Sequence, residues 1–348
     1  MLDLSHVYGG DATRALSARE RWGGRLRAEK LKGKDWPPGN NLICLQNNIN
    51  ESRCHSAAES FVNSLLAVNM AFLWFMRQHN NLAERLAKVN PCWDDDKLYM
   101  IAKDINIAIW QQIFYYELMP NIVDYEYLLK HGVIFPGHGH VDDYDPHLEP
   151  RVSLEFTVAN RWFHTLQEGR LNLYDNHGKI LRQLAIVDST LHTGMLPINN
   201  TLEGLTQGTF RQACASTDKV IDPDMGERVL GRMQFVSDVM ASDIMKGRDN
   251  GLPSYNRYRE LCKLPIAKDF EDLYYWMPRE QVESMQLVYE EVEDIELMAG
   301  IISEDVMGEG VVGPMHACII VDQLLRWRRA DRFWYENSVH PGAFTPGK

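Results

Sequence analysis

Basic charge is in short supply: 36 Lys and Arg stand against 48 Asp and Glu, a formal net charge of −12, and no basic stripe gathers what there is. A nucleic-acid partner or an anionic membrane surface is therefore excluded as an expectation. Long apolar runs are scarce as well, since residues 61–76 are interrupted by Asn63, Ser64 and Asn69, and no segment is expected to span a bilayer. Residues 1–30 offer no charged start, apolar stretch or small-residue cleavage site, so no signal peptide is expected within this chain. Six cysteines in 348 residues are few; on count alone they fit free thiols as well as bridges. Internal repeats and Ser/Thr-rich linkers are missing, which points to a single domain over residues 1–348. No stretch of alternating residues announces a hairpin, and the expected fold class is mainly α.

What is present is an ordinary globular balance, 45% hydrophobic and 24% charged, in a chain long enough to bury a large core. Apolar residues recur at helical spacing through residues 65–90, with Met70, Phe72, Leu73, Met76, Leu82 and Leu86 on one broad face. His79 lies on this helix and reads as a hydrogen-bonded structural residue rather than a ligand. Asn90-Pro91-Cys92-Trp93-Asp94 stops the helix and caps a second one, through Leu98, Ile105 and Ile109 to Leu118. Residues 20–55 show no period and read as a long surface loop, as do most of residues 171–224, before a helix through Val229, Met233, Val236 and Met240. Residues 131–147 gather four His and three Asp, which invites a metal at His138 and His140. Their Gly and Pro content favours an exposed loop instead, because a preformed site needs supported ligands. Sequons stand at Asn50 and Asn199.

One stretch organises the rest. Residues 243–264, D-I-M-K-G-R-D-N-G-L-P-S-Y-N-R-Y-R-E-L-C-K-L, read as a helix end, a tight turn bracketed by Gly247 and Gly251, and a new helix from Tyr255. The string resembles the R-x-R-D-H-G-L-P-x-Y-N-x-[WY]-R-x-[FL]-C-G-L signature of the animal haem peroxidases, and residues 154–166 resemble that family's E-F-x-x-A-x-R-x-G-H-T-L helix. The resemblance implies a helical haem peroxidase fold with His164 as the proximal ligand of haem iron. It also implies Asp243 as the hydrogen-bond partner of His164, and Arg161 and Lys246 on the haem propionates. An imidazole suits iron and a guanidinium fork suits a carboxylate. Asp243 stands where the family has asparagine, Lys246 where it has arginine, and Phe163 where a glycine precedes the histidine. The resemblance further implies the disulfides Cys44–Cys54 and Cys262–Cys318, leaving Cys92 and Cys214 without an evident partner. Asp3 and Ser5 match part of a calcium loop, for which a helix cap or turn is the competing reading.

Two departures bear on activity. Residues 54–64 align with the family pattern C-x-x-A-G-D-x-R-x-N-E, which places Phe61 on the catalytic arginine and Ser64 on the glutamate that esterifies haem. The distal haem helix, with its histidine, is expected upstream of residue 1, so the domain reads as partial. Peroxide cleavage needs a distal base to move a proton and a cation to stabilise the developing charge. The expectation is therefore non-covalent haem b, calcium at an incomplete site, and impaired or no hydrogen-peroxide-dependent oxidation of a small-molecule reductant or halide. His55 is the first candidate for an unrecognised base. Two other readings stay open: an active, secreted haem peroxidase represented by an incomplete chain, and a non-haem helical scaffold for a protein partner. The resemblance also implies an extracellular location.

Overall fold

A computed structural model describes residues 2–40, 54–137, 139–217, 220–229 and 238–345. About 51% of the chain is helical, and the strands among the described residues form only two-stranded pairs, so the fold is mainly α as the periodicities predict. No helix among those residues is long and apolar enough to cross a membrane.

One core gathers on a helical hairpin, Leu66–Val89 against Asp95–Gln112, where Asp94 caps the second helix by accepting the Lys97 amide at 2.8 Å. The second helix runs on into a π-helical stretch at Ile113–Leu118. Met70, Phe72, Leu73 and Met76 are buried as expected, whereas Leu82 and Leu86 are only half-buried. Their place in the stripe is taken by Asn69, His79 and Asn80. These polar residues do specific work. The His79 ring lies between the Tyr8 hydroxyl at 3.0 Å and the Gly24 carbonyl at 2.9 Å, and Asn80 Oδ1 accepts the Leu26 amide at 2.8 Å. They pin residues 20–40 to the helix, and that segment is more ordered than a surface loop. Glu29–Leu31 pairs with Lys34–Trp36, and Gly39–Asn40 pairs with Cys54–His55.

The other core surrounds Pro314–Ala330, a helix opened by proline, whose missing amide is no loss in a first turn. Met315, Ile319, Ile320, Leu324 and Trp327 bury against Tyr115, Trp162 and Trp334. Beside them the buried Glu304 accepts the Tyr255 hydroxyl at 2.5 Å and the Met315 amide at 3.0 Å, and pairs with Arg259. Cys262 and Cys318 are joined as a disulfide. Cys44 lies outside the described residues, and the Cys44–Cys54 bridge with it; Cys92 and Cys214 are free and exposed.

Residues 171–224 depart from the loop expectation. Arg170–Tyr174 and Ile180–Ala185 form an antiparallel hairpin, closed by a turn in which Asp175 Oδ1 accepts the His177 and Lys179 amides at 2.8 and 2.9 Å. The Thr201–Thr209 helix lies on this hairpin. Gly208 approaches so closely that an added Cβ would stand 2.3 Å from the Asn172 carbonyl oxygen. The helix expected through Val229 to Met240 is seen from Val239 onward, and residues 230–237 lie outside the described ones.

Candidate functional site

Ser153 caps the Leu154–Ala159 helix through the Phe156 amide at 3.2 Å. The run then tightens into a 3-10 turn, Asn160–Trp162, and resumes as Phe163–Leu166. Trp162 is driven fully inward, its Nε1 donating to Thr217 Oγ1 at 3.2 Å. Phe163 lies over it, ring centroids 4.2 Å apart, and stays 44% exposed. The bulk that precedes His164 is thus partly covered by Trp162 and partly exposed. Arg161 and His164, three residues apart, emerge on one side of the run.

That side meets the Val239–Asp249 helix, capped by Asp238 through the Ala241 amide at 2.9 Å. The helix ends as the sequence predicts. Gly251 takes φ +66°, where a side chain would be strained, and the Leu252 amide closes back on the Gly247 carbonyl at 3.0 Å. Gly247 faces Val158 across the junction at ordinary contact distance, 3.9 Å from an ideal Cβ. Across this junction Asp243 reaches His164.

The Asp243 side chain is 1% exposed and serves three groups. Its Oδ2 accepts from His164 Nδ1 at 2.5 Å, and its Oδ1 accepts from Arg161 Nη1 and Lys246 Nζ, each at 3.3 Å. Burial pushes the carboxyl pKa up, but the hydrogen bond and charge of His164, followed by those of Lys246, outweigh it and hold the value below that of an ordinary aspartate. An ionised carboxylate can only accept, so Nδ1 carries the proton. Nε2 makes no hydrogen bond to the described residues; it offers a lone pair when the ring has given up its second proton, Nδ1 keeping the one shared with Asp243. The ring is 27% exposed. Arg161 Nε is buried without a partner.

The other expected site residues stand apart from this cluster. Phe61, on the Ser60–Asn63 turn, is 55% exposed, and Ser64 is half-buried with its carbonyl accepting the Leu191 amide at 2.9 Å. Neither makes a hydrogen bond or ring contact with His164, Asp243, Arg161 or Lys246. His55 is buried, its Nδ1 2.6 Å from Asn69 Oδ1 and its ring 5.7 Å from that of Trp36. Asp3 Oδ1 accepts the Ser5 amide at 3.1 Å, the geometry of a turn. In the His-rich loop, Asp143 pairs with the buried Arg328 at 2.8 Å and His140 Nε2 lies 2.6 Å from the Phe344 carbonyl oxygen; His138 is outside the described residues. Among the described residues no group of three His, Cys, Asp or Glu is placed to hold a metal ion. Sequence reasoning missed the convergence of Arg161 and Lys246 on one oxygen. The three-residue spacing of Asp243 and Lys246 was the available signal.

Comparison with known proteins bears on the fold and the family. The chain is 33% identical over 351 residues to a peroxidase of Drosophila melanogaster, an alignment covering 99% of this chain and 51% of that protein. It is 30% identical over 364 residues to a peroxidasin homolog of Homo sapiens, covering 100% of this chain and 24% of that one. The chain thus spans about half the length of the first relative and less of the second. Peroxidase A from Dictyostelium discoideum has a TM-score of 0.84 at 26% identity, over 97% of this chain and 64% of its own. A fatty acid alpha-dioxygenase of Oryza sativa shares the fold, with a TM-score of 0.74 at 20% identity over 96% of this chain and 58% of its own. The profile of the animal haem peroxidases matches residues 1–348, and the chain belongs to that family.

Proposed function

We propose that this chain binds haem b non-covalently, with His164 Nε2 as the iron ligand, and that its hydrogen-peroxide-dependent oxidation is impaired. The observation that carries the reading is the 2.5 Å hydrogen bond between His164 and Asp243. A buried, ionised carboxylate keeps Nδ1 protonated and fixes the ring, so that Nε2 is presented as a ligand. The remaining donors fit the group that family membership implies. Arg161, with its unpartnered Nε, and Lys246, with a side chain 39% exposed, supply positive charge for carboxylates at a porphyrin edge.

When bound, haem supplies the redox-active iron. The chain's own residues do the rest. Asp243 draws on the Nδ1 proton and makes the imidazole a stronger donor than an asparagine partner would. Arg161 and Lys246 temper that pull while they rest on Oδ1; either one, turned toward a propionate, leaves Asp243 more negative and its hold on His164 tighter. Phe61 stands at the family's arginine position with neither charge nor proton to offer, and loss of one such electrostatic stabiliser typically costs about 100-fold to 1,000-fold in rate. Ser64 has no carboxyl with which to form an ester. The Cys262–Cys318 disulfide supports maturation in an oxidising compartment and so an extracellular location. A small-molecule reductant or halide is the electron donor that goes with residual turnover.

The test is reconstitution with haemin, followed by acid-acetone extraction and by peroxide-dependent oxidation of iodide and of a phenol, beside a His164→Ala variant and free haemin. The expected result is five-coordinate, extractable haem that His164→Ala fails to hold, with turnover near that of haemin. Haem esterified at Ser64, or turnover far above haemin that disappears in His164→Ala, refutes the impaired reading. A wild-type chain that takes up no haem refutes the haem reading and leaves the scaffold.

A further inference from the structure

Asn250 and Gly251 form the one Asn-Gly pair in the chain, at a place where the animal haem peroxidase string D-H-G-L-P has histidine. Such a pair is chemically exposed: glycine has no Cβ to shield its amide nitrogen, and that nitrogen can attack the side-chain carbonyl of the asparagine before it. The two asparagines followed by serine, Asn63 and Asn337, are both 0% exposed. Asn250 is exposed, and an ideal Cβ on Gly251 would meet nothing within 4 Å, so water reaches both residues of the pair.

The folded turn holds the pair out of reaction. Asn250 closes the Val239–Asp249 helix at φ −91° and ψ 1°, a conformation that turns the Gly251 nitrogen away from the Asn250 side chain; ring closure needs that nitrogen and Cβ eclipsed about the Cα–C bond. Three hydrogen bonds oppose the rotation. Asn250 Nδ2 donates to the Lys246 carbonyl at 2.7 Å, the Gly251 amide to the Arg248 carbonyl at 3.0 Å, and the Leu252 amide to the Gly247 carbonyl at 3.0 Å. All three belong to the last turn of a helix, the part that frays before the middle does.

We infer that Asn250 is a site of spontaneous covalent modification, gated by this turn. When the turn opens, the Gly251 nitrogen gives its proton to solvent and forms a bond to Asn250 Cγ, while Nδ2 takes up a proton and leaves as ammonia. Water then adds to either carbonyl of the cyclic imide. Opening on one side gives aspartate, and opening on the other gives isoaspartate, in which the main chain runs through Cβ and Cγ. Nothing is oxidised or reduced, and water is the sole co-reactant. The products keep the turn from closing again. Both lack the donor that held the Lys246 carbonyl, and both put a negative charge at a helix C-terminus, where the dipole disfavours it. Isoaspartate also lengthens the main chain by one carbon, which breaks the closure of Leu252 on Gly247. The segment so loosened carries Lys246, one of the two cations on Asp243.

Peptide mapping by mass spectrometry tests the inference on the full chain without haem, incubated at pH 8 in water labelled with heavy oxygen, folded and unfolded in guanidinium. Enzymic methylation of isoaspartyl carboxylates is the second readout. In the unfolded chain Asn250 should convert faster than any other asparagine, and in the folded chain at least ten-fold more slowly than in the unfolded one. Met245→Gly, at a position of the same helix that is 52% exposed, should raise the folded-state rate roughly three- to five-fold through lost helix propensity and leave the unfolded-state rate unchanged. Hydrogen exchange at the Gly251 and Leu252 amides should be faster in converted molecules than in unconverted ones. Asn250→His, incubated alike, should form no isoaspartate and keep the slow exchange. No conversion at Asn250 in the unfolded chain, equal rates in the folded and unfolded chains, or a folded-state rate in Met245→Gly equal to that of the wild type overturns the inference.

Discussion

Asp243→Asn isolates one charge without changing shape. The amide still accepts from His164 Nδ1, and the junction of the two helices is untouched, but the ionised partner is gone. Hydrogen bonds to a charged group contribute roughly 1.5 to 3 kcal/mol against about 0.5 to 1.5 for neutral pairs. A difference of about 1.4 kcal/mol corresponds to about 60 mV in a one-electron couple. Arg161 and Lys246, at 3.3 Å on the same carboxylate, cancel part of its field at the ring, which lowers the expectation to about 30 to 60 mV. The sign follows from the imidazole: with a less negative partner it donates less to iron, the ferric state is less favoured, and the potential rises. Spectroelectrochemical titration of the haem-loaded protein gives the potential, and the iron–histidine stretching mode, moving to lower frequency, gives the bond. A potential and a stretching mode both unchanged in Asp243→Asn would mean that His164 is not the iron ligand, and the reading of the site would fall with it.

Other consequences concern stability. Burial lowers the His79 pKa from 6.5 to about 4, so the unfolded chain takes up a proton there before the folded one does; stability is full above about pH 6.5 and falls toward pH 4 by up to roughly 3 kcal/mol. Urea midpoints at pH 7 and pH 5 should show this loss together with that of the buried His316, whose pKa burial lowers to about 3, and His79→Gln should remove its own share and leave the rest. Asp243 acts in a different window: its depressed pKa gives stability that is present above the ordinary carboxylate value near 3.9 and is lost as pH falls through the lower folded value, so Asp243→Asn should flatten the acid limb of urea midpoints below about pH 4. Removing Cys262–Cys318, by Ser at both positions, should cost about 2 to 4 kcal/mol in chemical denaturation. Glu304→Ala strands Arg259, whose side chain is 3% exposed, and should cost about 3 to 5 kcal/mol, a larger loss than Glu304→Gln.

Local periodicity made much of this fold legible. The hairpin of long helices, the stop at Asn90 to Asp94 and the glycine turn at Gly251 follow from spacing and backbone preference alone, and the structure has them. Spacing was silent where polar residues are buried for a partner far along the chain. His79 and Asn80 sit on a core stripe because Tyr8, Gly24 and Leu26 need hydrogen bonds there, and no helical period contains that fact. The Arg170–Tyr174 hairpin escaped notice because only Leu171 and Leu173 mark its first strand, and its inner face is decided by Gly204 and Gly208 of a helix some 30 residues later. The same division runs through the site. Arg161 with His164, and Asp243 with Lys246, are each three residues apart, so that each helical run announces one cation beside one functional group. Which charges then meet is a tertiary matter, decided where the Leu154–Ala159 and Val239–Asp249 helices come together. At that junction a single buried carboxylate receives an imidazole and both cations. The strength of its hold on His164 therefore depends on two residues that a linear reading assigns to other partners, and substituting either Arg161 or Lys246 should be felt at His164 before it is felt anywhere else.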